Sequence, residues 1–428
     1  MMMTYKETTD YLFNCVPLFQ NVGKEAYKEG LYNTEVLDEH FGHPHKKYKT
    51  IHIGGTNGKG SCSHTLAAIL QKAGYKVGLY TSPHLTDFRE RIRVNGEMIP
   101  EDFVIKFVEN ERHFFEPLHP SFFELTTAMA FLYFAEENVD VAVIEVGLGG
   151  RLDCTNIIHP DLSVITNISF DHVQFLGDTL EKIASEKAGI IKENTPVVIG
   201  ETTKETRNVF LNKSLSVNSK IYFAEEKLHV LSSKQEMTGR TFETDMLGEL
   251  KGELGGLCQE KNCNTILTCI SVLRELQYPI KDEHIREGFL HVCELTGLRG
   301  RWQTVSQSPL TICDTGHNTG GMQYISQQLK AFRGTLHIII GMVNDKDIRS
   351  VLKMLPQDAH YYFTKANVKR ALNEKELQKL GKEFQLEGKS YPTVESAYEA
   401  AYASASTNDM IFVGGSTFIV ADFFSFFH

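Results

Sequence analysis

Residues 51–61 read Ile51-His-Ile-Gly-Gly-Thr-Asn-Gly-Lys-Gly-Ser61. A short β-rich run, 49–53, enters a glycine-rich turn, and a helical period starts near Ser61. Glycines let backbone N–H groups converge on one anion, the following helix presents its positive end, and Lys59 adds a full charge. The stretch predicts a phosphate loop in which Thr56, Asn57, Gly58, Lys59, Gly60 and Ser61 surround the phosphates of ATP. It departs from the common GxxxxGKS/T spacing: Ile53 takes the place of the first glycine and Gly60 that of the hydroxyl residue. The bland alternative is a tight strand-to-helix turn with an exposed lysine. Gly60 cannot ligate a metal, so a magnesium-binding hydroxyl has to come from elsewhere. Tyr80-Thr-Ser-Pro-His84, at the end of the next predicted strand, offers Thr81 and Ser82.

Outward from this loop, β-rich apolar runs, glycine or polar turns and helical periods recur, which is the mark of a parallel sheet covered by helices. Strands are expected at 49–53, 77–81, 139–146, 162–168 and 196–199, with helices at 61–73, 126–138 and 179–192. Residues 220–256 are polar with short alternating segments and read as a β-rich flap or insertion; 262–276 reads as helical. The stretch Thr296-Gly-Leu-Arg-Gly-Arg301 is the linker candidate. Beyond it a second series begins, with strands at 310–313, 336–340, 361–364 and 410–413. The expected fold class is α/β: a P-loop ATPase domain with a mostly parallel sheet, residues 1–296, and a smaller C-terminal Rossmann-like α/β domain, residues 297–428.

Length supports two domains, since 428 residues exceed one ordinary core. Net charge is -10 and the basic residues are scattered, so no nucleic-acid footprint is expected. The eight cysteines, at 15, 62, 154, 258, 263, 269, 293 and 313, show no CxxC pair. They argue against structural zinc and against a secreted disulfide framework, and read as reduced thiols in a cytoplasmic protein. No apolar run reaches spanning length, so no membrane anchor is expected.

The run 139–145 ends in an acid, Glu145, and is followed by Gly147-Leu-Gly-Gly-Arg-Leu-Asp153. A carboxylate at a parallel strand's C-terminal end, beside a phosphate loop, is placed to hold magnesium. A strand-end acid facing solvent is the competing reading. The next strand leads to Asn167-Ile-Ser-Phe-Asp-His172, and the helix after it carries Glu186-Lys187. Singly, His172 reads as a loop histidine and Lys187 as a solvated helix charge; with Glu145 and Ser82 they put polar groups from four segments on one rim.

These residues resemble the folylpolyglutamate synthase/dihydrofolate synthase family of the Mur-ligase superfamily. The resemblance runs through Gly55–Ser61, Tyr80–Leu85 with Glu90-Arg-Ile92, Glu145–Asp153 with Thr155-Asn156, Asp171-His172 and Glu186–Ile190. It continues through Gly300-Arg301, Asp314 with His317-Asn318, and Asp345-Lys-Asp347. It implies that Lys59 and its loop hold the ATP phosphates, that Ser82 and Glu145 hold one magnesium ion, and that His172, Glu145 and a carbamylated Lys187 hold a second. It further implies that Asn262, Arg301 and Asp314 meet the base, phosphate and ribose, and that His317 and Ser416 lie around incoming glutamate. Lys59, Lys187 and His317 become the catalytic candidates; Arg91, Asp153, His317 and Ser416 become the substrate-binding ones, with an ordinary surface ion pair as the plain reading of Arg91. A monomer is implied. Two departures stand out: Thr315-Gly316 where the family usually has Gly-Ala, and Cys258-Gln259 where it usually has His-Gln.

The implied reaction is ATP-dependent attachment of L-glutamate to a folate-type carboxylate through an acyl phosphate. Three other readings compete. A Mur-type ligase for a nucleotide-linked precursor usually has an extra domain before the loop, and 53 residues precede Gly54 here. A non-catalytic nucleotide-binding regulator has no need of Glu145, His172, Lys187 and His317 together. A dinucleotide-binding dehydrogenase needs GxGxxG, which Gly147-Leu-Gly-Gly150 lacks. Phe122, Phe123 and the 82–91 loop are candidates for the pterin pocket, with ordinary core packing as their plain reading.

Overall fold

A computed structural model describes residues 3–14, 30–344 and 346–427, so Cys15 and Asp345 lie outside the described residues. Its first sheet has eight strands: β1 (Lys49–Gly54), β2 (Val77–Tyr80), β3 (Ile92–Val94), β4 (Glu97–Met98), β5 (Val141–Glu145), β6 (Leu162–Ile165), β7 (Val197–Ile199) and β8 (Ile221–Phe223). Their order is β4-β3-β2-β5-β1-β6-β7-β8. All pair in parallel except β3 and β4, an antiparallel edge.

β1 and β5 are buried along nearly their whole length, because helices cover both faces and leave no reason for apolar and polar residues to alternate. On one face, helices Lys59–Lys72, Gln259–Glu275 and Asp282–Leu290 pack with Ile51, Ile53, Val141 and Val143. On the other, helices Glu101–Phe115 and Phe122–Glu136 pack with Ala142, Ile144 and Tyr80. The second of these begins at Phe122 rather than near residue 126. Ser121 caps the Glu124 amide at 3.2 Å and the Glu124 carboxylate accepts from the Ser121 amide at 2.5 Å, a reciprocal cap that starts the helix a turn early.

Within the 220–256 stretch, β8 joins the edge of the large sheet. β9 (Val230–Gln235), β10 (Arg240–Thr244) and β11 (Gly248–Gly252) form an antiparallel sheet that buries Val230, Phe242 and Leu250 against the helices named above. Residues 297–301 carry no regular structure and lead into a second sheet. It contains β12 (Gln303–Gln307), β13 (Leu310–Asp314), β14 (Leu336–Ile340), β15 (His360–Phe363), β16 (Gly388–Ser390) and β17 (Met410–Gly414), ordered β12-β13-β17-β14-β15-β16. Only β12 runs antiparallel. β3, β4, β12 and β16 are absent from the expected strands: they are short or polar, and neighbours rather than local pattern make them strands.

Candidate active site

β2, β5, β1 and β6 are neighbours and parallel, so their C-terminal ends open onto one edge of the large sheet, where ligands collect in such folds. The phosphate loop leaves β1 there. Gly55 has φ +134°, and a Cβ on it would lie 1.9 Å from Thr166 Oγ1, so glycine is required for the loop to pass the exit of β6. Thr166 Oγ1 donates to Asn57 O at 2.5 Å, and the Asn57 amide donates to Asn167 Oδ1 at 3.0 Å. The loop's shape is thus set by the strand beside it. Lys59 Nζ donates to Gly55 O and Thr56 O at 3.2 and 3.1 Å.

Glu145, at the end of β5, is 3% exposed and accepts a long hydrogen bond from the Ser82 amide, 3.4 Å. Burial pushes its carboxyl up, and the charges of Lys59 and Arg301 pull it back. A buried carboxylate held by one long hydrogen bond, with the Ser82 hydroxyl carried on the same segment, is a donor set that fits a hard divalent cation. The second expected set is different. Lys187 Nζ donates to Gly55 O at 2.9 Å, and His172 lies 3.8 Å from Asp171 as a charge contact. Among the described residues no three His, Cys, Asp or Glu side chains form a metal-ligand group. As an ammonium, Lys187 cannot ligate a metal, so this set does not fit a second ion in its unmodified form. Burial, then the charge of Lys59, lowers Lys187 to about 7.

The second sheet's contribution arrives from across the cleft. Arg301 lies over the loop, where a Cβ on Gly60 would be 3.1 Å from its Nη2. A side chain at that position would have to displace the Arg301 guanidinium slightly. Arg301 Nη1 also donates to Thr315 Oγ1. Asp314 accepts from the Trp302 and Gly316 amides, both at 2.7 Å, and burial pushes its carboxyl up. Asn262 Nδ2 donates to Gln259 Oε1 at 2.9 Å, and Gln259 Nε2 donates to Ser61 Oγ at 3.3 Å.

Thr56 to Ser61, Ser82, Glu145, Asn262, Arg301, Asp314 and His317 line one cavity of about 320 Å³. Arg91, Asp153, His172, Lys187 and Ser416 are not on its wall. Arg91 is buried, donates to His84 Nδ1 at 2.7 Å and lies over the Phe122 ring at 5.1 Å. Asp153 is buried and staples its loop by accepting from the Leu148 and Thr155 amides and from Thr155 Oγ1. Ser416 caps helix Thr417–Phe426, and its neighbour Thr417 reaches the cavity. Sequence reasoning missed Gln259 and Tyr324 on the wall. Gln259 sits one turn from Asn262 on the same helix, a spacing that could have paired them.

A model of the Mur ligase middle domain matches residues 53–262, and one of the Mur ligase glutamate ligase domain matches residues 300–417. The dihydrofolate synthase/folylpolyglutamate synthase of Escherichia coli is 35% identical over 380 residues, covering 86% of this chain and 84% of that protein. The chain belongs to the folylpolyglutamate synthase/dihydrofolate synthase family. Solved structures of the family superpose over nearly the full length. E. coli FolC in complex with DHPP and ADP gives a TM-score of 0.81 at 30% identity, covering 99% of this chain and 97% of that one. A bifunctional folylpolyglutamate synthase/dihydrofolate synthase with Mn, AMPPNP and L-glutamate bound gives 0.81 at 28%, covering 99% and 98%. Within the family frame both sequence departures have a place: Thr315 receives Arg301, and Cys258 lines the cavity with its thiol pushed up to about 12 by burial.

Proposed function

We propose that this ATP-dependent ligase joins the amino group of L-glutamate to a folate-type carboxylate, either dihydropteroate or the tail of a reduced folate. The observation that carries the reading is the shared cavity, in which a phosphate loop and a buried acid from one sheet face Arg301, Asp314 and His317 from the other. ATP and a divalent metal are its cofactors.

A carboxylate resists amines because its carbon is poorly electrophilic and oxide is a poor leaving group. Transfer of the γ-phosphoryl group to a carboxylate oxygen releases ADP and gives a mixed anhydride. The glutamate nitrogen then bonds to the acyl carbon, the C–O bond to phosphate breaks, and the amine sheds a proton. In this scheme the loop amides and Lys59 hold the phosphates, Arg301 faces the charge that develops, Asn262 and Asp314 seat the nucleoside, and His317 orients glutamate, while Ser416, as the cap of helix Thr417–Phe426, sets Thr417 against the cavity. Ser82 and Glu145 would hold one magnesium ion, which supplies charge neutralisation at the phosphates when bound.

Carbamylation of Lys187 would turn it into an oxygen donor beside His172 and Glu145. An amine near 7 supports this, since carbon dioxide adds to the neutral form and the nitrogen loses a proton as the carbamate forms. We assign residues 1–296 to an ATP-binding domain and 297–428 to a ligase domain, working as a cytoplasmic monomer on small molecules without nucleic acid. No described helix is long and apolar enough to cross a membrane.

Labelled glutamate is incubated with ATP, magnesium and either dihydropteroate or a reduced folate monoglutamate. Product from both acceptors establishes a bifunctional synthase, and product from one establishes that activity alone. Absence of product from both, with ATP still bound, rules the reading out.

A further inference from the structure

Asp171, just before His172 on the segment that leaves β6, has no role in the reaction described above. Its side chain is 10% exposed and its carboxylate is fully engaged. Oδ1 accepts from Lys346 Nζ at 2.5 Å and from the His172 amide at 2.9 Å; Oδ2 accepts from Asn318 Nδ2 at 3.0 Å and faces His317 Nε2 at 3.5 Å. A carboxylate offers about four acceptor positions. Here three of the four partners come from the second sheet's side of the cleft. Asn318 extends the connection, donating also to Asn57 Oδ1 of the phosphate loop at 3.0 Å while its own Oδ1 caps helix Thr319–Ala331. A second, independent feature points to the same junction. A Cβ on Gly320 would lie 2.8 Å from Ser169 Oγ and 2.9 Å from Asn57 Nδ2, so glycine lets this helix come down on the loop without displacing either side chain.

We infer that Asp171 is a positioning residue, the clasp that seats His317, Asn318 and Lys346 against the phosphate loop so that glutamate is presented to the acyl group. The inference rests on the ligase reading above. The partners of Asp171 are His172, Asn318, His317 and Lys346 rather than Lys59, Asn262, Arg301 or Asp314, so its loss acts on glutamate use and on the arrangement of the two sheets, leaving nucleotide affinity in place. The Lys346 side chain, 8% exposed, is the other half of the clasp and reaches Asp171 beside His172.

The test compares wild type with Asp171→Asn, Lys346→Met and the double variant in full-length protein. Three quantities are read: kcat and KM for glutamate, ADP affinity, and the radius of gyration of the ADP complex. Each single variant is expected to raise the glutamate KM about ten-fold or more, and the double to be no worse than the poorer single, as for two residues acting as one unit. ADP affinity should stay within about three-fold, and the radius should increase in all three. The inference is overturned if ADP affinity falls in step with glutamate use, if the two losses multiply, or if Lys346→Met is silent. The last result would mean that Asp171 acts through neighbouring His172. Should wild type itself add no glutamate, the ligase reading fails while scattering and ADP binding still judge the clasp.

Discussion

At the scale of single residues, the ammonium of Lys187 carries a desolvation cost. It is 5% exposed and lowered to about 7, against an ordinary value near 10.5. Between those two values the unfolded chain binds a proton that the folded chain does not, so stability rises with pH across that window. In carbon dioxide-free buffer the unfolding free energy should climb by up to about 2 kcal/mol between pH 7 and 9, and Lys187→Met should flatten that slope. Denaturant titrations at several pH values measure it, and equal slopes would refute it. Glu145 behaves in the opposite sense. Its buried carboxylate is strained by desolvation, so Glu145→Gln should leave the thermal midpoint unchanged or higher while kcat/KM falls by roughly 100-fold or more. A variant that unfolds early, or that keeps its activity at low magnesium, would contradict this. The place of Glu145 at the end of β5 was legible because an apolar run closes on it there, whereas its burial on the cavity wall was not separable from a solvent-facing strand end. The engagement of Asp153 with Thr155, and of Arg91 with His84, was not legible, since pattern reveals where a side chain lies along the chain but not which neighbour claims it.

Among the elements, the phosphate loop is the most constrained. Gly55→Ala would drive a methyl group into Thr166 Oγ1 at a φ that side chains rarely adopt, at a cost of about 1–3 kcal/mol or more. Loss of ADP binding and a lower denaturant midpoint are expected together; a variant that binds ADP normally would show that the loop can reshape. The strand β1 and its loop could be read from sequence because a continuous apolar run meets glycines there. The helix beginning at Phe122 was misplaced because two phenylalanines read as core while the Ser121/Glu124 cap went unnoticed. Short edges such as β16, Gly388–Ser390, are legible only once β15 is in place to pair with them.

For the whole molecule, we propose closure of the two sheets during acyl transfer, which would keep a mixed anhydride from solvent water. With an ATP analogue and both substrates, small-angle scattering should report a smaller radius of gyration than for the protein alone, with residues 297–301 taking up the movement. An unchanged radius would remove closure from the mechanism. The overall organisation into two α/β layers could be read from recurrence of strand and helix periods, whereas the polar contacts across the cleft could not, because they join residues far apart in sequence. The strand order of the second sheet carries one more consequence. β17 lies between β13 and β14, and Leu310 pairs with Met410, a hundred residues later. Until β17 is inserted, β13 and β14 have no mutual partner and expose bare edges, so refolding of this half should be slow and prone to self-association. The centre of that sheet is therefore expected to be set after its flanks, and keeping the two flanking strands from self-association until then should raise the yield of folded protein.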